Sequence, residues 1–228
     1  MEKAICISLG GSVVSQEKGV NVEYISKFLS VLSKCRSTKF IVVVGGGYVN
    51  NIYVDSLKGT VNSHLPLDEI GILISRVNAF AVKSFAEGKL DVYPNVICSV
   101  DEVQSALMSH NVVLSGGFHP GLTTDSSAIL ACEAAGIKKL INVSTIGYVY
   151  DRNPKESGAK KLPKLSYDQL IELAAKFDTR SARTHFIFDL VACKLAKRAK
   201  ITINFVDEDI RNLENAILEK KYVGSTVK

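Results

Sequence analysis

The chain has 228 residues, of which 46% are hydrophobic and 22% charged, and its formal net charge at pH 7 is +5. This length and composition are sufficient for one sizeable core, and they exclude a disordered or collagen-like chain. The modest positive charge suits a small anionic substrate and gives no indication of nucleic-acid binding.

Predicted strands and helices alternate along the chain. Apolar runs predict strands at 4–9, 40–44, 112–114, 139–143 and 201–206. Helical spacing and capping residues predict helices at 21–35, 67–86, 99–109, 124–135, 186–199 and 210–219, with another opened by a capping box at 166–169. A long loop is expected at 150–163. Because the strands lack polar alternation, they fit a sheet covered on both faces. We therefore predict an α/β three-layer sandwich with a doubly wound, mainly parallel central sheet, formed by residues 1–228 as one domain.

The chain has five cysteines, an odd number, and no C-x-x-C pair. Neither a disulfide framework nor a cysteine metal site is therefore expected. The apolar run behind the N-terminus ends at Leu9, which is too early for a signal peptide, and no run is long enough to span a bilayer. The prediction is a cytoplasmic protein with reduced thiols and no membrane contact.

Three of the predicted strands end in glycines, at Gly10-Gly11-Ser12, Gly45-Gly46-Gly47 and Gly116-Gly117. Ligands of open α/β sheets lie at the carboxyl ends of the strands, and glycine lets backbone N–H groups approach phosphate oxygens. A single loop of this kind is more often a tight turn, but three in one parallel sheet favour a phosphate site. No P-loop and no G-x-G-x-x-G motif is present. The pattern predicts a polyphosphate site built from separate loops.

Four longer stretches carry a resemblance to a known family: 8–12 (SLGGS), 43–47 (VVGGG), 67–79 (LDEIGILISRVNA) and 116–125 (GGFHPGLTTD). In this order and spacing they resemble the amino acid kinase superfamily, and within it the archaeal-type uridylate kinases. The similarity covers essentially the whole chain and ends with a closing strand at 224–226. It implies transfer of the γ-phosphoryl group of ATP to UMP, with the acceptor nucleotide over about 1–125 and ATP over about 126–228.

On the acceptor side, the resemblance implies that Asp68 holds the ribose hydroxyls, as an ionised carboxylate does well. The alternative is an aspartate that only stabilises the start of its helix. The residues predicted to bind UMP are Gly46, Asp68, Phe118, His119, Pro120, Gly121, Leu122, Thr123 and Thr124.

On the donor side, the resemblance implies a triphosphate cradle at Gly10–Ser12 and adenosine contacts further along the chain. The residues predicted to bind ATP are Ser8, Leu9, Gly10, Gly11, Ser12, Gly47, Asn51, Ser144, Tyr150 and Asn153. Asp125 and Asp189 are the predicted catalytic residues, although Asp189 also suits a helix cap. Tyr150 is a plausible neighbour of the adenine, and the alternative is a tyrosine of a β-hairpin. No cluster suggests a protein-held metal, so Mg²⁺ is expected to arrive with ATP. The resemblance also implies a homo-oligomer, a hexamer assembled from dimers.

Several donor-side positions depart from the family pattern. The superfamily usually has Lys where this chain has Ser8 and Arg where it has Asn51, and the family stretch N-x-D-G-V-Y-x-x-D-P reads TIGYVYDRNP at 145–154. Gly147 and Asn153 thus replace carboxylates. We expect these changes to weaken ATP binding, with loop cations as candidates to compensate: Arg152, Lys160 and Lys161.

Two other functions remain open at this point. One is another kinase of the superfamily, forming an acyl phosphate or acting on isopentenyl phosphate; Asp68 and the 120–124 loop argue against it. The other is a nucleotide-binding sensor or assembly subunit with weak catalysis, which the donor-side departures favour.

Overall fold

A computed structural model describes residues 3–177 and 188–228 of the chain. The strands are β1 Lys3–Leu9, β2 Ser15–Gln16, β3 Gly19–Val20, β4 Thr38–Val44, β5 Val112–Ser115, β6 Lys139–Val143, β7 Val149–Tyr150, β8 Lys161–Leu162, β9 Lys164–Leu165, β10 Thr202–Val206 and β11 Gly224–Val227. The helices are α1 Gly11–Val14, α2 Val22–Lys34, α3 Gly47–Leu57, α4 Leu65–Ala86, α5 Val103–Ser109, α6 Thr124–Ala134, α7 Tyr167–Phe177, α8 Leu190–Ala199 and α9 Ile210–Ile217, and a 3₁₀ turn, Val100–Glu102, precedes α5.

The central sheet contains seven strands in the order β5-β4-β1-β6-β10-β11-β9. All neighbouring pairs are parallel except β10 and β11, which are antiparallel. Helices α5 to α8 pack on one face, and α2, α4 and α9 pack on the other. This arrangement confirms the predicted three-layer, mainly parallel α/β fold.

The first strand illustrates why the apolar runs form the middle of the sheet. Ile5, Ile7 and Leu9 belong to the core on one face, whereas Cys6 belongs to the core on the other face. Successive side chains of a strand point to opposite faces, so a strand buried on both sides has no polar alternation. Only Ser8 interrupts the apolar run, and its side chain is buried at the end of the strand that carries the glycine loop.

The predicted helix caps are confirmed by hydrogen bonds. Tyr24 donates its backbone N–H to the Asn21 side chain at 3.1 Å at the start of α2. Ser99 and Glu102 form a reciprocal capping box. The same exchange starts α7, where the backbone N–H of Ser166 donates to Gln169 at 2.9 Å and that of Gln169 donates to the Ser166 hydroxyl at 3.2 Å.

Two local structures were not among the predicted strands and helices. Helix α3 follows the second glycine loop and contains no buried residue, so it lacks an apolar stripe that periodicity could detect. Within the predicted loop at 150–163, β7 and β8 form a short antiparallel hairpin. The predicted helix at 186–199 is observed from Leu190 onwards, and residues 186–187 lie outside the described residues.

Candidate functional site

The glycine loops meet at one edge of the sheet. Gly10, Gly45, Gly116 and Ser144 each directly follow the last residue of a strand, and those strands are adjacent in the order β5-β4-β1-β6. Because these strands are parallel, their carboxyl ends lie side by side. The structure thus brings together the loops that the sequence placed far apart.

The first two glycine loops are in direct contact. A Cβ atom on Gly11 would lie 2.1 Å from the backbone nitrogen of Gly47, and Gly47 itself has a φ of +66°. Both positions therefore require glycine. Gly45 donates its N–H to the carbonyl of Leu9 at 2.9 Å. Leu9 has its side chain in the core, so only its backbone lies at the predicted phosphate site. Ser12, at the start of α1, is exposed.

Helix α4 holds these loops in place with the polar side chains of Asn78 and Ser75. Asn78 Nδ2 donates to the carbonyls of Gly45 at 2.8 Å and Gly46 at 2.9 Å. Ser75 Oγ accepts the N–H of Gly117 at 2.8 Å. Both residues lie in the 67–79 motif but were not predicted as site residues, although polar residues on the sheet-facing side of a helix were a usable signal.

Arg76 on the same helix is engaged by backbone carbonyls. Its Nε donates to Gly117 O at 3.1 Å, and its Nη2 donates to Cys98 O at 2.9 Å and Phe118 O at 3.4 Å. These bonds, together with that of Ser75, hold the third glycine loop against α4. Arg76 was also missed as a supporting residue.

The predicted acceptor loop divides into a buried and an exposed part. The Phe118 side chain is buried in the core, and its N–H donates to Ser127 Oγ at 3.1 Å. His119, Pro120 and Gly121 are exposed. Phe118 is therefore an anchor of the loop, and the exposed residues after it form the accessible surface.

Asp68 lies against this exposed part. Its Oδ2 accepts the N–H of Gly121 at 2.8 Å. Gly121 has a φ of +79°, a conformation that glycine adopts readily. The contact joins the first turn of α4 to the loop, so two separate predicted acceptor elements are adjacent in space.

Thr123 caps α6 and connects it to α8. Its Oγ1 accepts the N–H of Asp125 at 3.2 Å and that of Ser126 at 3.3 Å, and its hydroxyl donates to Asp189 Oδ2. Ser126 Oγ also donates to Asp189 Oδ2, at 3.0 Å. Thr124 follows as the first residue of the helix. The starts of the two helices are therefore held together through one buried carboxylate.

Asp189 also caps its own helix, because Ala192 donates its N–H to Asp189 Oδ1 at 3.0 Å. The cap interpretation of Asp189 is thus confirmed. The same carboxylate lies beside Asp125, so the cap does not exclude a role in the site.

Asp125 lies at the first turn of α6 and is bound from the sheet below. Ser8 Oγ donates to Asp125 Oδ1 at 2.8 Å, and Asn142 Nδ2 donates to the same oxygen at 3.0 Å. Burial, together with the negative charge of Asp189, raises the pKa of Asp125 to about 7, against the lowering effect of these two hydrogen bonds. The Asp125 carboxyl group therefore changes charge near neutral pH. Asn142 was missed at the sequence level, although a polar residue in a buried strand was a usable signal.

The residues predicted to contact adenosine form hydrogen bonds or a strand pairing with residues close to them in the chain. Ser144 Oγ donates to Ile146 O at 2.8 Å, Tyr150 pairs with Lys161 in the β7–β8 hairpin, and Asn153 Oδ1 accepts the N–H of Lys155 at 3.0 Å. In the described part of the chain, no hydrogen bond links these residues to the glycine loops. Asn51, another predicted ATP-binding residue, is exposed on α3.

The departure at Gly147 has a packing reason. A Cβ atom at this position would lie 2.7 Å from the backbone nitrogen of Asp207. A carboxylate side chain, as in the resembling family, does not fit here unless the end of β10 shifts.

The loop cations considered as replacements also have local partners. Arg152 Nη2 lies 3.4 Å from Asp151 Oδ2, and Lys161 Nζ lies 4.7 Å from the centre of the Tyr148 ring. Lys160 pairs with Asp151 through its backbone. Across residues 3–177 and 188–228, no three His, Cys, Asp or Glu side chains are grouped so that they could hold a metal ion.

Comparison with known proteins agrees with this architecture. The model of the amino acid kinase family matches residues 3–207. A uridylate kinase of Thermoplasma volcanium is 31% identical over 228 residues, covering 100% of this chain and 98% of that protein. A uridylate kinase of Thermoplasma acidophilum is 32% identical over 229 residues, and the match covers 100% of this chain and 97% of that protein.

Solved structures show the same fold. A crystal structure of uridylate kinase from Archaeoglobus fulgidus superposes with a TM-score of 0.83 at 30% identity, covering 98% of this chain and 99% of that one. In the described part of the chain, no helix combines the length and apolar character needed to cross a membrane. The sequence identity, the coverage and the shared fold place the chain in the amino acid kinase family, together with the archaeal uridylate kinases.

Proposed function

We propose that the chain is a UMP kinase that transfers the γ-phosphoryl group of ATP to UMP and forms UDP. The observation that carries this proposal is the convergence of three glycine loops with Asp68, Asp125 and Asp189 at one edge of the sheet. The near-full-length similarity to uridylate kinases supports it. Phosphoryl transfer requires positioning and charge stabilisation more than covalent chemistry, and backbone-lined loops are suited to that.

On the acceptor side, Asp68 accepts hydrogen bonds from the ribose hydroxyls of UMP, and the exposed loop 119–121 covers the base. The bond from Gly121 to Asp68 supports this assignment because it places the loop beside the carboxylate. Thr123 and Thr124, at the start of α6, and Gly46 approach the acceptor phosphate.

On the donor side, the Gly10–Ser12 loop holds the triphosphate through the N–H groups that follow Gly10, because the Gly10 N–H itself donates to Val143 O at 2.8 Å. Gly47 lies between the two nucleotides. Mg²⁺ enters with ATP as part of the substrate and neutralises the phosphate charge. Asp125 and Asp189 organise the transfer site between them. ATP lies mainly over residues of about 126–228. The proposed location is the cytoplasm, which fits the absence of a disulfide among the five cysteines.

The decisive experiment is an acceptor panel with the purified chain. ADP release is measured with MgATP and UMP, CMP, AMP or GMP, each over a range of concentrations. UMP should give a much higher kcat/KM than AMP or GMP, with CMP intermediate at best. Equal turnover of the purine monophosphates contradicts the proposal. Binding of UMP or UTP without ADP release identifies a nucleotide sensor instead.

We also propose that the chain forms dimers that assemble into a hexamer. The support is an apolar face on α4, where Leu73 is 59%, Val77 66% and Phe80 58% exposed. These residues are spaced by four and three positions, so they lie on one side of the helix. Adjacent α3 exposes Ile52 and Tyr53. Contiguous apolar surface of this kind is typical of protein interfaces.

A further inference from the structure

Asn142 is a polar residue between buried apolar residues of strand β6. On β6, Leu140, Ile141 and Val143 are fully buried, and Asn142 is only 9% exposed. Burying an amide costs free energy unless it forms hydrogen bonds. Its Nδ2 has such a bond, to Asp125 Oδ1 at 3.0 Å.

The sheet register explains why two donors reach the same oxygen. Ser8 of β1 and Asn142 of β6 are directly paired neighbours. Paired residues of adjacent strands point to the same face of the sheet, here the face covered by α6. Ser8 Oγ therefore binds Asp125 Oδ1 as well, at 2.8 Å. Within the residues that the structure describes, Asp125 Oδ2 accepts no hydrogen bond, which leaves this second oxygen for a substrate group.

The charges around Asp125 make these two bonds important. The group that faces it from α8 is the carboxylate of Asp189, which disfavours a second negative charge, and the groups from β1 and β6 are neutral. Burial and Asp189 raise the pKa of Asp125 to about 7, whereas the Ser8 and Asn142 bonds lower it. Loss of either donor therefore raises the pKa of the Asp125 carboxyl group further and favours its protonated form.

We infer that Asn142 is a positioning residue of the transfer site, which orients the Asp125 carboxyl group and, together with Ser8, favours its ionised form. This inference rests on the proposed kinase activity. It assigns the strand-end amide a function beyond the stability of the sheet, and it makes the activity of this chain dependent on pH through Asp125.

The test is the pH dependence of kcat, measured from pH 5.5 to 9 at saturating MgATP and UMP. In the wild type, kcat falls on the acidic side as Asp125 becomes protonated. Asn142→Leu, which is close in size but has no donor, should move the acidic midpoint upward by about one pH unit, a tenfold change in proton affinity. Both KM values should change little. Titration of the substrate phosphates is the same for all variants, so the difference between midpoints reports the protein.

Asn204→Leu is the matched control. Asn204 lies on the neighbouring strand β10 and is 7% exposed, but it pairs with Ile141 and therefore points to the opposite face of the sheet. This variant should keep the wild-type midpoint. If Asn142→Leu does not fold, Ser8→Ala removes the other donor to the same oxygen and should shift the midpoint in the same direction.

An unchanged acidic midpoint in a folded, active Asn142→Leu or Ser8→Ala variant overturns the inference. Titration of the Asp125 carboxyl carbon by NMR gives a second readout that does not need turnover, and equal pKa values in wild type and Asn142→Leu also overturn it. A wild-type chain that releases no ADP with any nucleoside monophosphate refutes the proposed function, and the NMR titration still decides whether Asn142 controls Asp125.

Discussion

Replacement of Asp68 by alanine tests the acceptor site most directly. Asp68 lies in the first turn of α4, is exposed, and accepts the Gly121 N–H through Oδ2 at 2.8 Å. In the proposed complex the carboxylate also binds the ribose hydroxyls. Asp68→Ala therefore removes both the contact to UMP and the bond that holds the covering loop next to it.

The expected loss of UMP affinity follows from the negative charge of the Asp68 carboxylate, which accepts the hydrogen bonds. A hydrogen bond to an ionised group contributes about 1.5–3 kcal/mol. Since 1.4 kcal/mol corresponds to a factor of ten, the KM for UMP should rise about tenfold to a hundredfold. Folding should change much less, because an exposed charge at a helix start contributes about 0.3–1 kcal/mol.

The assay is steady-state ADP release over a range of UMP concentrations at saturating MgATP, together with a thermal unfolding curve. Glu69→Ala is the matched control, because Glu69 is the next residue of the same helix and is also an exposed carboxylate. Asp68→Asn separates the two contributions, since its amide oxygen can still accept the Gly121 N–H but carries no charge.

An unaltered KM for UMP in Asp68→Ala would refute this reasoning and leave Asp68 as a residue that only stabilises the start of α4. If Glu69→Ala raised the KM for UMP equally, the effect of Asp68→Ala would come from the loss of a negative charge on α4 and not from a contact to the ribose. An intermediate KM for Asp68→Asn is expected if the loop contact and the ribose contact both contribute.

Three other predictions concern the donor site, the glycine contact and the assembly. The KM for ATP should exceed that for UMP, and Ser8→Lys should lower the KM for ATP or raise kcat by supplying a cation next to Asp125; a wild-type KM for ATP well below that for UMP contradicts this. Gly11→Ala should lower the urea midpoint, because its Cβ would lie 2.1 Å from Gly47 N and such overpacking costs about 1–3 kcal/mol or more; an unchanged midpoint is inconsistent with the contact. Val77→Asp should reduce the mass measured by light scattering at micromolar concentration, and a monomeric wild type rules out the oligomer.

Much of the fold was predictable because it depends on local patterns. The strand at 139–143 was predicted with the bounds that the structure shows, and the caps at Asn21, Ser99 and Ser166 were identified from residue types and spacing alone. Helix α3 and the β7–β8 hairpin were not predicted as a helix and as strands, because neither has a clear local sequence pattern. One has no buried face, and the other is a pairing of two-residue strands about ten residues apart.

The sequence by itself determined the order of strands and helices, the glycines at the strand ends and the acidic residues near them, because each depends on neighbouring residues in the chain. Only the tertiary structure decided which of these groups meet. The bonds of Ser8 and Asn142 to Asp125 join residues 117 and 17 positions apart in the chain, and the bond of Thr123 to Asp189 spans 66 positions. Such contacts depend on sheet register and helix packing, which no local pattern encodes. The surroundings of Asp125, which include the nearby Asp189 carboxylate, raise its pKa to about 7.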